Sequence, residues 1–553
     1  MTTPIQNSTI PGAESAIVGH LDDLAEAAMK MIKVDGHRIC LVRTSEGVFA
    51  LDQACPHEGY GLTTGELDGD LITCAWHNWK FRVTDGACVL GEEDVRTYPV
   101  DVAEDGTLSV TFSQPDPAEL RPQLLASLRR GIEKDYVGQV SRDIVRLLRA
   151  DTNPGELIWE AVAYGAPRAE FGWGHSIASL TDCLAMVDQY DDDQRALPIV
   201  QAIAGVAETE RGRPEQPLPD PLSVLPADPR SEFRRLVESE QLVPAQSLLR
   251  GALHAGSTAD DLRPWFTDVV SDHLLSYGHG AIYAQKAFEL LDRIGWDRAD
   301  TVLSHLVPRI VYGTREDKLP YMKLFHRGAG QLDLDQLAEA AGDPVVGWVD
   351  DGRLNAALLG DDRTEAALAT GAALAAGASI DSVLDIVTSV VSERMLRYEP
   401  SGEFDFHDDF GWLDITHGLT YARAARWHAA HQPVTPDLIR LVMWTAFLAN
   451  WTGRHEWHTG VGERAEVEPR SDDLLAYGRS LQHEALLDGT TAFIVHAHAV
   501  KMSVAATDEA LRLGSSLPLD ATARFMAAPK LERFVAATVT RSIDFISGRV
   551  QRD

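Results

Sequence analysis

A small all-β domain followed by a large all-α domain is the fold class that three features of this sequence predict. Short apolar-rich runs separated by turn residues fill the stretch from Ala16 to about Phe112. After the polar, proline-bearing segment Ser113-Gln114-Pro115-Asp116-Pro117, alanine, leucine and arginine dominate and apolar residues recur at helical spacing. With 553 residues, the chain is also too long for one hydrophobic core. The predicted organisation is a β domain over residues 1–112, a linker over 113–118 and a histidine-rich helical domain over 119–553.

Within the β domain, Arg38–Arg43 and Val48–Leu51 read as strands separated by the turn Ser45-Glu46-Gly47. Leu71–Thr73 and Trp79–Val83 read as two more, followed by the turn Asp85-Gly86. Tyr98–Val102 and Leu108–Phe112 flank Asp105-Gly106 in a hairpin pattern. Leu21 to Lys33 is the one stretch here that reads as helix. In the second domain, Leu120–Leu148 and Ile380–Leu396 carry the helical period. Gly212–Pro229 and Gly453–Asp473 read as long loops, candidates for covers over a site.

Cys55-Pro56-His57 and Cys74-Ala75-Trp76-His77 pair a thiol with an imidazole on each of two nearby loops. Such a set can hold a [2Fe–2S] cluster asymmetrically, with Cys55 and Cys74 on one iron and His57 and His77 on the other. Neutral imidazole leaves less negative charge around the reducible iron than thiolate does, which raises the potential. A tetrahedral zinc site is the competing reading of two cysteines and two histidines. Against zinc, each pair mixes Cys with His, and Pro56 sits inside the first pair.

The flanks Gly59-Tyr60-Gly61-Leu62, Gly65-Glu66-Leu67-Asp68-Gly69 and Trp76-His77-Asn78-Trp79-Lys80-Phe81 resemble Rieske [2Fe–2S] domains of the ferredoxin and oxygenase branch. The resemblance covers about a fifth of the chain. Asn78 departs from the glycine usual after the last ligand, although no ligand is lost.

A formal net charge of −33 argues against nucleic acid or an anionic membrane as partner, because phosphates would be repelled. Five cysteines, of which Cys40, Cys88 and Cys183 remain unassigned, do not make a disulfide framework and suit a reducing, cytoplasmic setting. The first residues show no signal-peptide pattern, and no uncharged apolar run has membrane-spanning length.

The helical domain contains an internal echo. His279-Gly280-Ala281-Ile282-Tyr283-Ala284 aligns with His417-Gly418-Leu419-Thr420-Tyr421-Ala422, and a weaker copy begins at His175-Ser176-Ile177-Ala178. Each histidine sits among small residues, at the start or first turn of an apolar helix. In Ile494-Val495-His496-Ala497-His498-Ala499-Val500-Lys501, His498 and Lys501 share a helix face, where an unpaired cation is costly. Single helical histidines are more often structural than ligating. Three similar sites and a His-x-x-Lys, beside an electron-transfer module, point to a metal centre. His305, His254 and His496 are the reserve candidates.

This region resembles the questin oxidase family, helical proteins associated with oxidative opening of aromatic polyketide rings. The resemblance rests on the helical histidines and on His498-Ala499-Val500-Lys501. It implies a mononuclear non-haem Fe(II) held by His175, His279, His417 and His498, with Lys501 carboxylated on its amine as an oxygen ligand. Ordinary Rieske oxygenases use an Asp-x-x-His-x4–5-His pattern instead. Asp414-Ile415-Thr416-His417 supplies its first half, but Ala422 and Arg423 stand where the second histidine belongs.

The expected function is therefore a Rieske-containing non-haem iron oxygenase, in which the cluster supplies electrons for O2-dependent oxidation of a small aromatic or polycyclic substrate. A ferredoxin or a flavin- or NAD(P)H-dependent reductase would be the electron donor; Rieske oxygenases often pass electrons between neighbouring subunits, so a homo-oligomer and a path in cis or in trans are both left open. Trp173 and Trp412 are candidates for lining an aromatic-substrate pocket. The alternative is an electron carrier fused to a non-catalytic docking or ligand-binding module. A third reading keeps the enzyme but uses the cluster only to re-reduce iron that has become ferric.

Overall fold

The computed structural model describes residues 14–34, 36–112, 117–404 and 410–548. The expected loose N-terminal decapeptide and most of the expected linker lie outside them. The chain forms two compact units, Met1–Asn153 and Pro154–Asp553.

Among the described residues of the first unit, three antiparallel sheets are built from eleven strands. The strands β1 (Glu14–His20), β10 (Val100–Val102) and β11 (Thr107–Phe112) form one sheet in the order β1-β11-β10. The second consists of β2 (Ala28–Val34), β3 (His37–Thr44), β4 (Gly47–Asp52) and β9 (Thr97–Tyr98) in that order. The third runs β5 (Glu66–Asp68), β6 (Leu71–Thr73), β7 (Lys80–Arg82) and β8 (Cys88–Leu90). β3 is central because successive side chains on a strand face opposite ways. Ile39 and Leu41 enter a core with Val18, Leu24, Tyr98 and Val110. Cys40 and Val42 enter another with Ile72, Phe81, Cys55 and Cys74. One strand thus supports both the frame of the domain and the floor beneath the two Cys-His loops.

The expected helix over Leu21–Lys33 is not formed. Leu21–Asp23 makes a single 3-10 turn, and Ala28–Val34 is β2, paired from Ala28↔Arg43 to Val34↔His37. Helix-favouring Ala, Met and Lys are overridden by continuous pairing with β3. The expected helical stretch Leu120–Leu148 is two helices, Pro117–Lys134 and Val137–Arg149, separated at Asp135 (φ 55°) and Tyr136. Both belong to the first compact unit, so it extends past the expected boundary at 112. Glu93, buried in the β domain, accepts from Arg142 Nε at 2.9 Å and Arg146 Nη1 at 3.0 Å.

The second unit is helical. Four of its helices, His175–Met186, His279–Ile294, Trp412–Ala430 and Phe493–Leu513, pack in a closed ring, each against the next and the last against the first. Their buried residues surround them almost completely, as expected of central helices. The Ile380–Arg397 helix, foreseen from its apolar period, supports the third of them. The Pro-rich loop before Pro229 is pinned by Gln216 N–H to Pro167 O and Leu222 N–H to Ser247 O. The second expected loop begins with a short helix, Arg454–Thr459. Among the described residues, no helix is long and apolar enough to cross a membrane.

Candidate metal centres

The two Cys-His loops have the same local construction. Cys55 N–H donates to Tyr60 O and Cys74 N–H to Trp79 O, each at 2.8 Å. Gly59 N–H and Asn78 N–H return to the carbonyls of Cys55 and Cys74. The return positions carry positive φ, 79° at Gly59 and 62° at Asn78. Asparagine tolerates this left-handed conformation better than other side-chain-bearing residues, which is how Asn78 replaces the expected glycine. Cys55 and Cys74 are buried, whereas His57 and His77 stand at the tip with their Nδ1 atoms 2.9 Å apart. Burial pushes the Cys55 thiol up to about 12, opposed by the His57 amide and reinforced by Cys74. Trp79 stacks on His57, and Tyr60 stacks on the exposed Trp76. Two sequestered thiols below two tip imidazoles fit a [2Fe–2S] cluster by donor type and placement.

In the helical unit, His175, His279, His417 and His498 come together from the four central helices. Nε2–Nε2 distances are 3.2 Å for His175–His279, 3.0 Å for His279–His417 and 3.4 Å for His417–His498. The ring closes through His498 and His175, whose centroids are 4.7 Å apart. His417 Nδ1 donates to Leu413 O, and His498 Nδ1 to Ile494 O at 2.7 Å. A carbonyl can only accept, so both rings carry their proton on Nδ1 and present an Nε2 lone pair. Burial keeps all four neutral, with His417 lowered to about 3 and the others also well below the usual histidine range. Lone pairs this close repel unless a cation lies among them, and neutral imidazole is the form that binds metal.

Comparison with known proteins addresses the first centre. Residues 14–99 match the Rieske [2Fe-2S] domain model. The ferredoxin component of a naphthalene 1,2-dioxygenase/salicylate 5-hydroxylase system from Ralstonia sp is 33% identical over 84 residues, 15% of this chain and 81% of that protein. The chain belongs to the Rieske [2Fe-2S] family. The p-cumate 2,3-dioxygenase ferredoxin of Pseudomonas putida is 34% identical over 93 residues, 16% of this chain and 78% of that one. Cholesterol 7-desaturase of Xenopus laevis is 44% identical over 55 residues, but these are 10% of this chain and 12% of that enzyme. The carbazole 1,9a-dioxygenase ferredoxin of Nocardioides aromaticivorans, at 26% identity, aligns with 18% of this chain and 98% of its own, with a TM-score of 0.17. A Rieske domain implies a [2Fe–2S] cluster.

Outside the Rieske domain, Lys501 lies beside the histidine ring. It is 2% exposed, and its Nζ, 5.8 Å from the Tyr283 ring centroid, has no hydrogen-bond partner among the described residues. Burial lowers this amine to about 7, aided by the Lys286 and Arg309 charges and opposed by Asp182. An orphaned, partly neutral amine beside four converging imidazoles, two of them presenting Nε2 lone pairs, fits a modified lysine that contributes an oxygen ligand.

The reserve candidates stand apart from these ring contacts. His305 Nδ1 donates to Thr301 O, His254 pairs with Asp300, and His496 lies off the ring. Trp173 and Trp412 are fully buried in packing and line neither cavity beside the ring. Asp414 caps its helix at Gly411 N. The glycines after the histidines serve helix packing: a Cβ at Gly280 would meet Leu275 at 2.8 Å, and one at Gly418 would meet Val391 at 2.7 Å. His417 also lies in the second turn of its helix rather than the first.

The structure adds residues that sequence reasoning missed. Tyr283 packs 5.0 Å from His279 and 6.1 Å from His175, centroid to centroid. Lys286 pairs with Asp182 at 2.5 Å in a buried layer on the same helices. A cleft of about 360 Å³ has His175 on its wall, while a second of about 250 Å³ lies beside Tyr277, whose ring is 5.8 Å from His417. In the first unit, Tyr136 donates to His57 O at 3.3 Å and sits against the His57 and Trp79 rings. No motif marks Tyr136, because its position depends on the turn between two appended helices.

Proposed function

We propose that this protein is a Rieske-containing non-haem iron oxygenase acting on a small, aromatic or polycyclic substrate. In this reading Cys55, Cys74, His57 and His77 hold the [2Fe–2S] cluster. His175, His279, His417, His498 and a carboxylated Lys501 hold one ferrous ion. The cluster would supply single electrons, and the iron would supply dioxygen reduction beside the substrate.

The chain's own residues do the rest. Leu413 O and Ile494 O orient two imidazoles so that their Nε2 lone pairs face inward. His417, His498 and Lys501 are buried among the surrounding helices, which strengthens electrostatic interactions on that side of the centre. The neutral fraction of the Lys501 amine is the form that can add carbon dioxide. The observation that carries the reading is the convergence of four neutral imidazoles from four helices, in a chain that also has an electron-transfer domain.

Metal analysis with oxygen uptake tests it. Protein prepared anaerobically with ample iron should contain about three irons per chain, two of them from the cluster. His279→Ala and His417→Ala should each lose the third while the cluster's spectrum persists, and reductant-driven oxygen uptake should fall with it. Two irons in the parent protein would sink the proposal.

The carrier reading has one point in its favour: relatives matched over most of their own length, among them those from Ralstonia sp and Pseudomonas putida, are ferredoxin components. It predicts unchanged metal content and oxygen uptake in both variants. Use of the cluster only for repair would show as far less than one equivalent of reductant per product.

A further inference from the structure

His279 enters the histidine ring in a different way from two of its neighbours. His417 and His498 are each aimed by a carbonyl four residues earlier in their own helices. His279 is the first residue of the helix His279–Ile294, so no turn of its own helix lies behind it. Its placement falls to residues 273–278, which connect it to the helix Ala259–Asp272.

That connection is strained. Ser276, Tyr277 and Gly278 take positive φ in succession, at 47°, 58° and 90°. Such a run is costly for residues with side chains, and a bulky aromatic one is poorly suited to it. At the third position only glycine fits, because a Cβ on Gly278 would fall 2.5 Å from the Tyr421 ring, on the helix that carries His417. The Tyr277 ring lies 5.8 Å from that of His417. The turn thus leads into one candidate ligand while resting on the helix of another, and their Nε2 atoms stand 3.0 Å apart.

A backbone of this kind persists only where its surroundings hold it. Here the support comes from residues 314–317. Ser276 N–H donates to Thr314 O and Glu316 N–H to Leu274 O, each at 2.9 Å, and Thr314 N–H donates to Ser276 Oγ at 3.0 Å. Asp317 accepts from Leu274 N–H at 3.2 Å and faces His273 Nδ1 at 2.9 Å. For Tyr277 the acceptor is a buried side chain. Its N–H donates to Glu316 Oε1 at 2.9 Å, and Tyr321 Oη donates to Glu316 Oε2 at 2.8 Å. Glu316 is 3% exposed. Burial pushes its carboxyl up to about 7, with the Asp414 charge adding to the rise and the two hydrogen bonds and the Arg454 charge opposing it. One oxygen of this sequestered carboxylate holds the turn, and the other holds a tyrosine that is itself stacked on Trp451 at 4.8 Å.

We propose that Glu316 is a positioning residue: by holding the left-handed turn Ser276–Gly278 it sets His279 against His417 and so completes the four-imidazole site. The inference rests on reading the histidine ring as a metal centre, and Glu316 acts there through the Tyr277 amide rather than as a ligand. Glutamine can serve the same purpose, since its carbonyl oxygen accepts from Tyr277 N–H and its amide donates to Tyr321 Oη. Alanine cannot, and it leaves the Tyr277 amide without its acceptor.

Hydrogen exchange and anaerobic Fe(II) titration of the full-length, cluster-loaded protein test this. In Glu316→Ala, exchange over residues 273–279 should be at least about tenfold faster, while the helix Ala259–Asp272 keeps the parent rate. The third iron should bind that variant at least about tenfold more weakly. Glu316→Gln should return both quantities to within about twofold of the parent. Tyr321→Phe keeps the stacked ring and removes only the hydroxyl. It should speed the same exchange by about threefold, and it supplies the readout if the alanine variant does not fold. Unchanged exchange in both Glu316→Ala and Tyr321→Phe, acceleration spread evenly over the whole second unit, a glutamine variant that behaves like the alanine one, or a third iron bound as tightly in Glu316→Ala as in the parent would overturn the inference. Absence of a third iron from the parent protein defeats the oxygenase reading instead, and the exchange rates then decide whether Glu316 holds the turn.

Discussion

His417 and His498 present their Nε2 atoms to each other at 3.4 Å, and each is already committed through Nδ1 to a carbonyl four residues earlier in its own helix. Neither ring can turn its protonated nitrogen inward without breaking that bond. The pair cannot satisfy itself, so it needs a cation, a proton or a donor from a third group. His279, 3.0 Å from His417, can donate to only one neighbour at a time. The four-histidine ring therefore suits a bound metal better than it suits its own hydrogen bonding.

The lysine offers a chemical test independent of turnover. If Lys501 forms a carbamate, removal of carbon dioxide and bicarbonate should lower the iron retained at the helical centre, and bicarbonate should restore it. Lys501→Ala should retain less iron under all conditions and show no bicarbonate response. Metal analysis after matched dialyses distinguishes these results.

At the cluster, Asn78 holds a left-handed conformation at φ 62°. Asn78→Gly should keep or slightly improve retention of the cluster. Asn78→Val should cost on the order of 1–2 kcal/mol, because a β-branched side chain is poorly tolerated there. The loss of visible absorbance during urea titration provides the measurement.

Tyr136 donates to the carbonyl of His57. Tyr136→Phe removes that donor but keeps the ring, so the extra electron on the reduced cluster should be less well stabilised. The expected result is a lower midpoint potential with cluster content unchanged, as measured by a spectroscopically monitored redox titration. An unchanged potential would mean that the tyrosine serves packing alone.

The pH dependence of stability should have a component from His428, which is buried away from the ring. Its Nδ1 accepts from Thr267 Oγ1 at 2.8 Å, and its Nε2 faces Ala281 O at 3.2 Å. Burial lowers it to about 4. The unfolded chain therefore takes up this proton first as pH falls, and stability is lost between about 6.5 and about 4, by at most about 1.4 kcal/mol per unit. His428→Asn should be less stable at pH 7.5 but decline less steeply toward pH 5, as followed by urea midpoints.

The Cys55–His77 motif was legible because its ligands and turn residues lie close together in sequence and each has a local chemical reason. The four helical histidines and Lys501 could be singled out one by one, through their small neighbours and an implausible cation. Their convergence depends on packing among distant helices, which periodicity does not encode. Glu316, Arg309, Asp182 and Lys286 gave no signal, since each reads as an ordinary charge until its burial is known. Trp173 and Trp412 misled in the opposite direction: closeness in sequence to a histidine did not bring them to a cavity. Leu21–Lys33 departs from the expected helix because pairing with β3 decides its conformation, and the boundary at 112 is passed because Glu93 ties the second of the two following helices to the β domain.

The closed ring of four helices has a consequence for the order in which the protein is made. Its first histidine is residue 175, whereas His498 and Lys501 lie on a helix near the end of the chain. A nascent chain leaving the ribosome can complete its Rieske loops early, but it cannot close the helical centre until the helix Phe493–Leu513 has been made. Premature termination before residue 493 should therefore yield a chain able to hold a cluster and unable to build the second centre. Completion of the helical site would then report that synthesis has passed Lys501.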